Sequence, residues 1–462
     1  MIAMLREHAS TLIVSALSAL FAVTLILFTG ILTAAIDPAV IEESGTFRAV
    51  LMMVALIFIM IALYVGAIVT ANTFSTIIAG RTRTIALLRL VGASSARVRA
   101  RIAGEGLVAG LVGGVAGFGI AVALCAAVTA WGPQLGWLPA GRDYPLFDPL
   151  ALVAVGVVAL TTWAAAWSGS RRVGRVSPIA ATGAAIELPA EQSRRRPART
   201  VWATILLVTG AALLAIGIVL GLMTPLALLI SFLGGILSFT GIALGAHLVM
   251  PPLLRLSGRA LGRGPSGRLA VANAVRFPER SARSTIGLVI GVTLVTMFAV
   301  ALASYETMTL QAFAHSPALK AGLAETLAVT TAVFTGLVGF SAVIAAVGLV
   351  NTLSLSVLQR TRELGLLRVL GFTGAQVRRM VLVESAQMTL TALGFGLLLG
   401  VFYGWAAAQS LLGSQAGLMA PTVPWPIIGG VAVFGLVLAL VAAAAPARRA
   451  IRVSPVAALA AQ

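Results

Sequence analysis

Side chains that ordinarily catalyse reactions or hold metals are scarce and scattered in this sequence. The three histidines, His8, His247 and His315, lie far apart and not all on the same side of the membrane inferred below, which argues against a metal site. No Ser/His/Asp grouping and no pair of carboxylates stands in a context suited to nucleophilic or general acid–base work. Cys125 is the single cysteine, so intrachain disulfides and cysteine clusters are excluded, and it reads as a small apolar packing residue. Lys320, the single lysine, stands between Leu319 and Ala321, so no phosphate loop of the form G-x-x-x-x-G-K-[ST] exists in the chain.

What does recur is a pattern of arginines and aliphatic residues. Residues 72–105 align without gaps onto 351–384, and 14 of the 34 positions are identical. The identities include Asn72/Asn351, Arg81/Arg360, Arg83/Arg362, the Leu-Leu-Arg triplets at 87–89 and 366–368, Gly92/Gly371 and Glu105/Glu384. A second match links RRVGRVSPIAA from Arg171 to RRAIRVSPVAA from Arg448. In the first copy an apolar-basic stretch (Ile85, Leu87, Leu88, Leu90, Val91) precedes a turn at Gly92. A helix of two or three turns lying along the membrane surface would bury most of those residues. Gly92 and Gly371 stand where a helix C-cap is expected, and Ser94 or Ser95, with Thr373 in the second copy, where the next helix would be capped. Anionic headgroups attract any positive charge; repetition of a detailed apolar-and-arginine pattern points instead to a protein contact made twice.

The elements that must position this segment are membrane spans. With 59% hydrophobic and 10% charged residues in 462, and a mean hydropathy of +1.04, the chain lacks the polar surface of a water-soluble protein. Ten apolar runs are long enough to cross a bilayer as helices, at about 11–35, 49–78, 103–130, 149–168, 201–222, 225–249, 285–303, 328–358, 381–407 and 425–445. The first is too long for the apolar core of a secretory signal and reads as an anchor. The formal charge of +18 follows from topology: with both termini cytoplasmic, 29 of the 32 basic residues fall on inner segments, leaving Arg48, Arg142 and Lys320 outside. Nucleic acid is therefore not the implied partner.

The expected fold is an all-α integral membrane protein of about ten transmembrane helices. Two parallel four-helix modules, 1–181 and 285–462, are joined by 182–284, which holds two further helices and a basic cytoplasmic segment. Gly-rich tracts at 110–119 and 394–400 suit close helix packing and hinge motion, and Thr161, Thr162 and Ser231 suit hydrogen bonds between helices.

The pattern R-x-R-x-x-x-L-L-R-x-x-G, a Glu where the chain returns to the membrane, and the closing R-R-x-x-R-V-S-P-x-x-A together resemble the FtsX-like permease domain of MacB/FtsX-type (type VII) ABC transporters. Both modules take part in the resemblance, and residues 270–283 resemble the approach to the second module in long permeases of this family. The resemblance implies a bacterial plasma-membrane, multi-pass subunit whose coupling helices, about 83–92 and 362–371, rest in grooves of a separate ATPase dimer. Arg81, Arg83, Leu87, Leu88, Arg89 and Gly92, with Arg360, Arg362, Glu363, Leu366, Leu367, Arg368 and Gly371, would form or support those contacts. Glu105 and Glu384 would support the return to the membrane, by coupling or by a structural role such as pairing with a nearby arginine.

ATP and Mg would be bound by the ATPase, two copies per permease chain, and this chain would be neither an enzyme nor a cofactor protein. The other implied partners are membrane lipids and a hydrophobic or amphiphilic substrate such as an antimicrobial peptide, a drug or a lipid. The sequence departs from many relatives in its short outer loops at 36–48 and 304–327, which give no indication of an accessory extracellular protein. The loops at 131–148 and 408–426 are expected as re-entrant or interfacial lids, with Trp131, Trp137 and Trp425 as interfacial anchors. Two alternatives stay open on sequence: a membrane sensor that uses an ATPase cycle without transport, and a secondary carrier, disfavoured by the lack of midplane charges.

Overall fold

A computed structural model describes residues 9–35, scattered positions between 53 and 74, 82–134, 139, 141–171, 197–261, 268–272, 278–312, 339 and 367–452. Among the described residues there is no strand, and the helices run in the order α1 (Ala9–Ala35), α2 (Thr82–Leu90), α3 (Ser95–Trp131), α4 (Pro149–Gly169), α5 (Pro197–Leu220), α6 (Ala227–Leu244), α7 (Ala246–Leu261), α8 (Pro278–Ala312), α9 (Gly374–Ala416) and α10 (Trp425–Arg452). Seven of them, α1, α3, α4, α5, α6, α8 and α9, are long and apolar enough to cross a membrane. The protein is thus an all-α, multi-pass membrane protein, as hydrocarbon requires of a chain that must satisfy every backbone N–H and C=O internally. Of the other expected spans, 49–78 is described only in part, its described positions between 53 and 74 all being helical; 328–358 lies outside the described residues apart from Gly339. The apolar stretch of α10 is Trp425–Val437.

The contacts divide the chain into two compact units, 1–185 and 186–462. In the first, α3 lies between α1 and α4. Ala22, Val23, Leu27 and Ile31 of α1 meet Ala121 and Cys125 of α3 and Ala151, Ala154 and Val155 of α4, so Cys125 does serve as a packing residue. Glycine sets the helix separation: a Cβ on Gly113 would stand 2.8 Å from the Leu12 carbonyl oxygen, and one on Gly117 would collide with that of Ala16. Ser15 and Thr162 share a buried 3.2 Å hydroxyl hydrogen bond between α1 and α4, whereas Thr161 donates to the Val158 carbonyl of its own helix. The loop at 141–148 is fastened down: Arg142 Nη1 donates to the Ala34 carbonyl at 2.9 Å, Tyr144 and Leu146 pack on the core, and Asp148 caps α4 by accepting from Leu150 N–H at 2.8 Å.

In the second unit α5 and α6 form an antiparallel hairpin with glycines at the crossing, Gly210 and Gly217 facing α6, Gly234 and Gly241 facing α5. Helix α9 runs against α8 in the way α3 runs against α1, with Gly396, Gly400 and Gly404 on Val292, Thr296 and Val300. The loop after α9 is also pinned: Gln409 Nε2 donates to the Gly417 carbonyl (2.7 Å), Met419 N–H to Gln409 Oε1 (3.1 Å), and Trp405 Nε1 to the Met419 carbonyl (2.7 Å). These hydrogen bonds fasten the described parts of both loops onto helix ends. Trp131 and Trp425 are exposed, as anchors would be, and Trp137 lies outside the described residues.

At 37 and 43 residues, α3 and α9 are about 55 and 64 Å long, roughly twice the hydrocarbon thickness, so each extends well beyond the membrane. Glycine close contact makes a sharp contrast available within α3. Gly117→Ala is expected to destabilise the purified protein by about 1–3 kcal/mol. Gly119→Ala, where an added Cβ meets nothing within 4 Å, is expected to stabilise it by up to about 1 kcal/mol; thermal unfolding in detergent reads both.

Candidate functional site: a duplicated helix–turn–helix at the arginine-rich ends

Each long helix, α3 and α9, starts from the same locally encoded turn. After α2, Gly92 adopts φ +97°, a left-handed conformation that costs any residue with a Cβ about 1 kcal/mol or more. The Ala93 N–H donates back to the Leu88 carbonyl at 2.9 Å and Val91 N–H to Leu87 at 3.1 Å. Ser94 then caps α3, its Oγ accepting from Arg97 N–H at 3.2 Å. In the second copy Gly371 has φ +95°, Phe372 N–H donates to the Leu367 carbonyl at 3.0 Å, and Thr373 and Gln376 form a reciprocal capping box on α9.

The residue before each cap is stapled to the first turn of the helix that follows. Ala93 packs with Val98, Ile85, Ile102 and Phe74 in one copy; Phe372 packs with Val377, Leu367, Met380 and Ala270 in the other. The turn and the first turns of the long helix therefore share one small apolar cluster in each copy.

What the turns present outward is apolar. In α2, Ile85 and Ala86 are buried, but Leu87, Leu88 and Leu90 are exposed, as is Val91 in the turn that follows, by 89%. Val369 and Leu370 stand at the registers of Leu90 and Val91 and are also exposed, Leu370 by 75%. The sequence pattern predicts that these side chains lie along the membrane surface, and the family resemblance implies contact roles for the Leu-Leu-Arg triplets. The structure exposes Leu90, Val91, Val369 and Leu370 as well, and half-buries Leu367 and Arg368. A signal for them was present: both copies place two aliphatic residues just before the turn glycine, where a helix end facing water is usually polar.

Of the other sequence-selected residues, Arg83 and Arg89 lie on α2 and Leu87 and Leu88 on its exposed side, while Arg81, Arg360, Arg362, Glu363 and Leu366 lie outside the described residues. Glu105 is paired with Arg101 one turn before it, Oε1 to Nε 3.4 Å. Glu384 is buried, and the residue one turn before it is the core Met380 in place of an arginine. Missed by the sequence reading is Arg99, whose guanidinium lies 4.4 Å over the ring of Trp167, itself stacked on Trp163. Arg97, Arg99 and Arg101 stand in the first turns of α3 and Arg378 and Arg379 in those of α9, where the helix dipole disfavours cations. Helix stability does not account for them; topology or a partner does.

The geometry places two equivalent apolar-and-basic turns on two long helices, one per module. The family model of the FtsX-like permease C-terminal domain matches the chain twice, over residues 56–178 and 335–455. The chain belongs to the FtsX-like permease family. Both matches contain a turn, and the second module repeats the first. Among similar proteins, the uncharacterized ABC transporter permease YknZ of Bacillus subtilis is 29% identical over 156 residues, covering 34% of this chain and 36% of that protein. The uncharacterized ABC transporter permease MJ1507 of Methanocaldococcus jannaschii is 28% identical over 131 residues, 28% of this chain and 33% of that one. The macrolide export ATP-binding/permease protein MacB of a Shewanella species is 24% identical over 214 residues, 45% and 30%. The matches thus span about a third of the length of these relatives.

The caps supply a local prediction. Ser94→Ala and Thr373→Ala are each expected to cost about 1 kcal/mol, seen as roughly five-fold faster hydrogen exchange at the Arg97 and Gln376 amides, with the distal halves of α3 and α9 unchanged.

Proposed function

We propose that this permease is the membrane subunit of an ABC transporter, that its two turns are the coupling elements for a separate ATPase dimer, and that its cargo is a hydrophobic or amphiphilic molecule exported or extracted from the outer leaflet. The observation that carries the reading is the pair of exposed aliphatic residues at one register in both modules, Leu90-Val91 and Val369-Leu370, each held by a glycine turn on a capped helix that extends past the bilayer. An aliphatic side chain is worth about 1.5–3 kcal/mol when fully buried, so the four in two ATPase grooves would contribute roughly 6–12 kcal/mol against the cost of association. The flanking arginines give the contact orientation and salt dependence. One permease chain with two turns fits two ATPase subunits, and ATP with Mg would be bound and hydrolysed there. Closure of that dimer would draw the turns together and tilt α3 and α9.

The arginine distribution supports a plasma-membrane protein with both termini in the cytoplasm, which puts the turns on the side where ATP is found. Residues 304–312, expected as part of an outer loop, belong to α8, and the short sequence segments 36–48 and 313–327 support a substrate arriving from the membrane rather than from a bulky outer domain.

Purification from native membranes in mild detergent tests the proposal. An ATPase is expected to accompany the chain at about two copies, and to be lost at least ten-fold on Val91→Glu with Leu370→Glu, which alter exposed positions and leave the fold intact. An intact preparation reproducibly free of ATPase overturns the reading and favours a carrier or sensor.

A further inference from the structure

Between Glu191 and Glu279 the chain carries nine arginines and no acidic residue. Within that segment the two sides of α7 differ sharply. Met250, Leu254 and Gly258 are buried where the helix lies against α8 and α9, whereas Leu248, Pro252, Arg255, Leu256 and Arg259 are exposed.

Hydrogen bonds to α9 fix the depth of this helix. Moving along α9 away from its pinned loop, Ser410 bonds Ser231 of α6 (2.5 Å) and Tyr403 bonds Ser238 of α6 (2.9 Å). Thr391 then bonds Ser257 of α7 (2.7 Å), and Gln387 Nε2 donates to the Leu254 carbonyl of α7 (2.7 Å). At the repeat registers of these four residues α3 has Val108, Val112, Leu124 and Trp131, three of them without a polar atom, so the ladder is particular to the second module.

Gln387 stands 22 residues before Gln409, which holds the loop at the far end of α9. At 1.5 Å per residue the two are about 33 Å apart, one hydrocarbon thickness. Leu254 and Ser257 therefore lie where hydrocarbon gives way to headgroups. Gly374, the first residue of α9, is about 20 Å further on, so α7 is at the level of the lipid and not at that of the Gly371 turn.

The exposed side of α7 has the order of groups that a phospholipid has. Because α7 continues inward from α6, Leu248 and Pro252 stand on the hydrocarbon side, and Arg255 and Arg259 follow one turn apart on the headgroup side. Other arginines have partners: Arg199 Nε donates to the Leu244 carbonyl at 3.0 Å, and Arg101 pairs with Glu105. Arg255 and Arg259 make no hydrogen bond or ion pair among the described residues. With no acid nearby in sequence, the pair favours a lipid of net negative charge over a zwitterionic one, whose own cation it repels. The exposed side of α5 is a contrast within the same unit: Val208, Ile216 and Val219 are aliphatic, and any lipid covers them equally well.

We infer that α7 binds an anionic phospholipid, its phosphate held by Arg255 and Arg259 and its chain along Leu248 and Pro252. Assigning that lipid to the inner leaflet rests on the topology proposed above. The test uses vesicles with the same lipids in both leaflets and needs neither ATP nor the ATPase, so the two readings fail separately.

The full chain, with Leu256→Cys in a Cys125→Ser background, carries a fluorophore at position 256; Val208→Cys supplies the reference on α5. Quenching is measured in phosphatidylcholine vesicles holding about one-tenth phosphatidylglycerol, with bromine on the chains of one lipid or the other. Position 256 is expected to prefer phosphatidylglycerol about five-fold and position 208 to show no preference. Arg255→Gln with Arg259→Gln is expected to bring position 256 to the value at 208. With the arginines unchanged, about 0.5 M NaCl is expected to lower the preference at least two-fold.

Equal preference at 256 and 208 overturns the inference, as does a preference that survives the two glutamines or the salt. Replacing chloride by inorganic phosphate at constant ionic strength is expected to change nothing; loss of the preference there would assign the arginines to a soluble anion and overturn it too.

Discussion

Helices in a bilayer are not driven together by the hydrophobic effect, because lipid tails are as apolar as leucine; they associate where backbones can approach closely and hydroxyls can bond. Everything else in this protein depends on that constraint being met at a few glycines. Gly113 and Gly117 seat α3 on α1, and Gly396, Gly400 and Gly404 seat α9 on α8. Those close approaches hold α3 against α1 and α9 against α8 within their own units.

The ends of the two long helices are where local chemistry takes over. A left-handed glycine, a bond reaching back over the turn, a hydroxyl cap and an apolar staple are each worth about a kilocalorie, and together they leave the turn one conformation. The same four devices occur in both modules with different residues: Ala93 and Ser94 in one, Phe372 and a Thr373–Gln376 box in the other. Geometry is retained where side chains have diverged. In both copies an aliphatic pair, Leu90-Val91 or Val369-Leu370, stays exposed beside that turn.

Much of this was legible in the sequence. Ten apolar runs, the arginine bias and a gapless repeat follow from elementary counting, since a span needs only length and apolarity, and Gly92, Gly371, Ser94 and Thr373 sit where turn chemistry requires them. Exposure was not legible. Ile85 and Leu88 are both aliphatic in a nine-residue helix with no clean apolar stripe, and only their neighbours put one in a core and leave the other outside. Nor was the fastening of the loops at 141–148 and 417–424, whose Pro, Gly and aromatic content suggested lids; the bonds of Arg142, Trp405 and Gln409 that hold them join residues on different elements.

The sequence by itself determined the class of fold, the family and the position of the turns, because each rests on local pattern: hydropathy over twenty residues, or a glycine and a hydroxyl two positions apart. Tertiary structure alone decided how the two modules differ. Gln387, Thr391, Tyr403 and Ser410 look in sequence like isolated polar residues in a span, and Ser231, Ser238 and Ser257 like others in helices well over a hundred residues away. In hydrocarbon such groups must find one another, and which ones do is set by how helices cross, a property of the packed chain that no single segment contains.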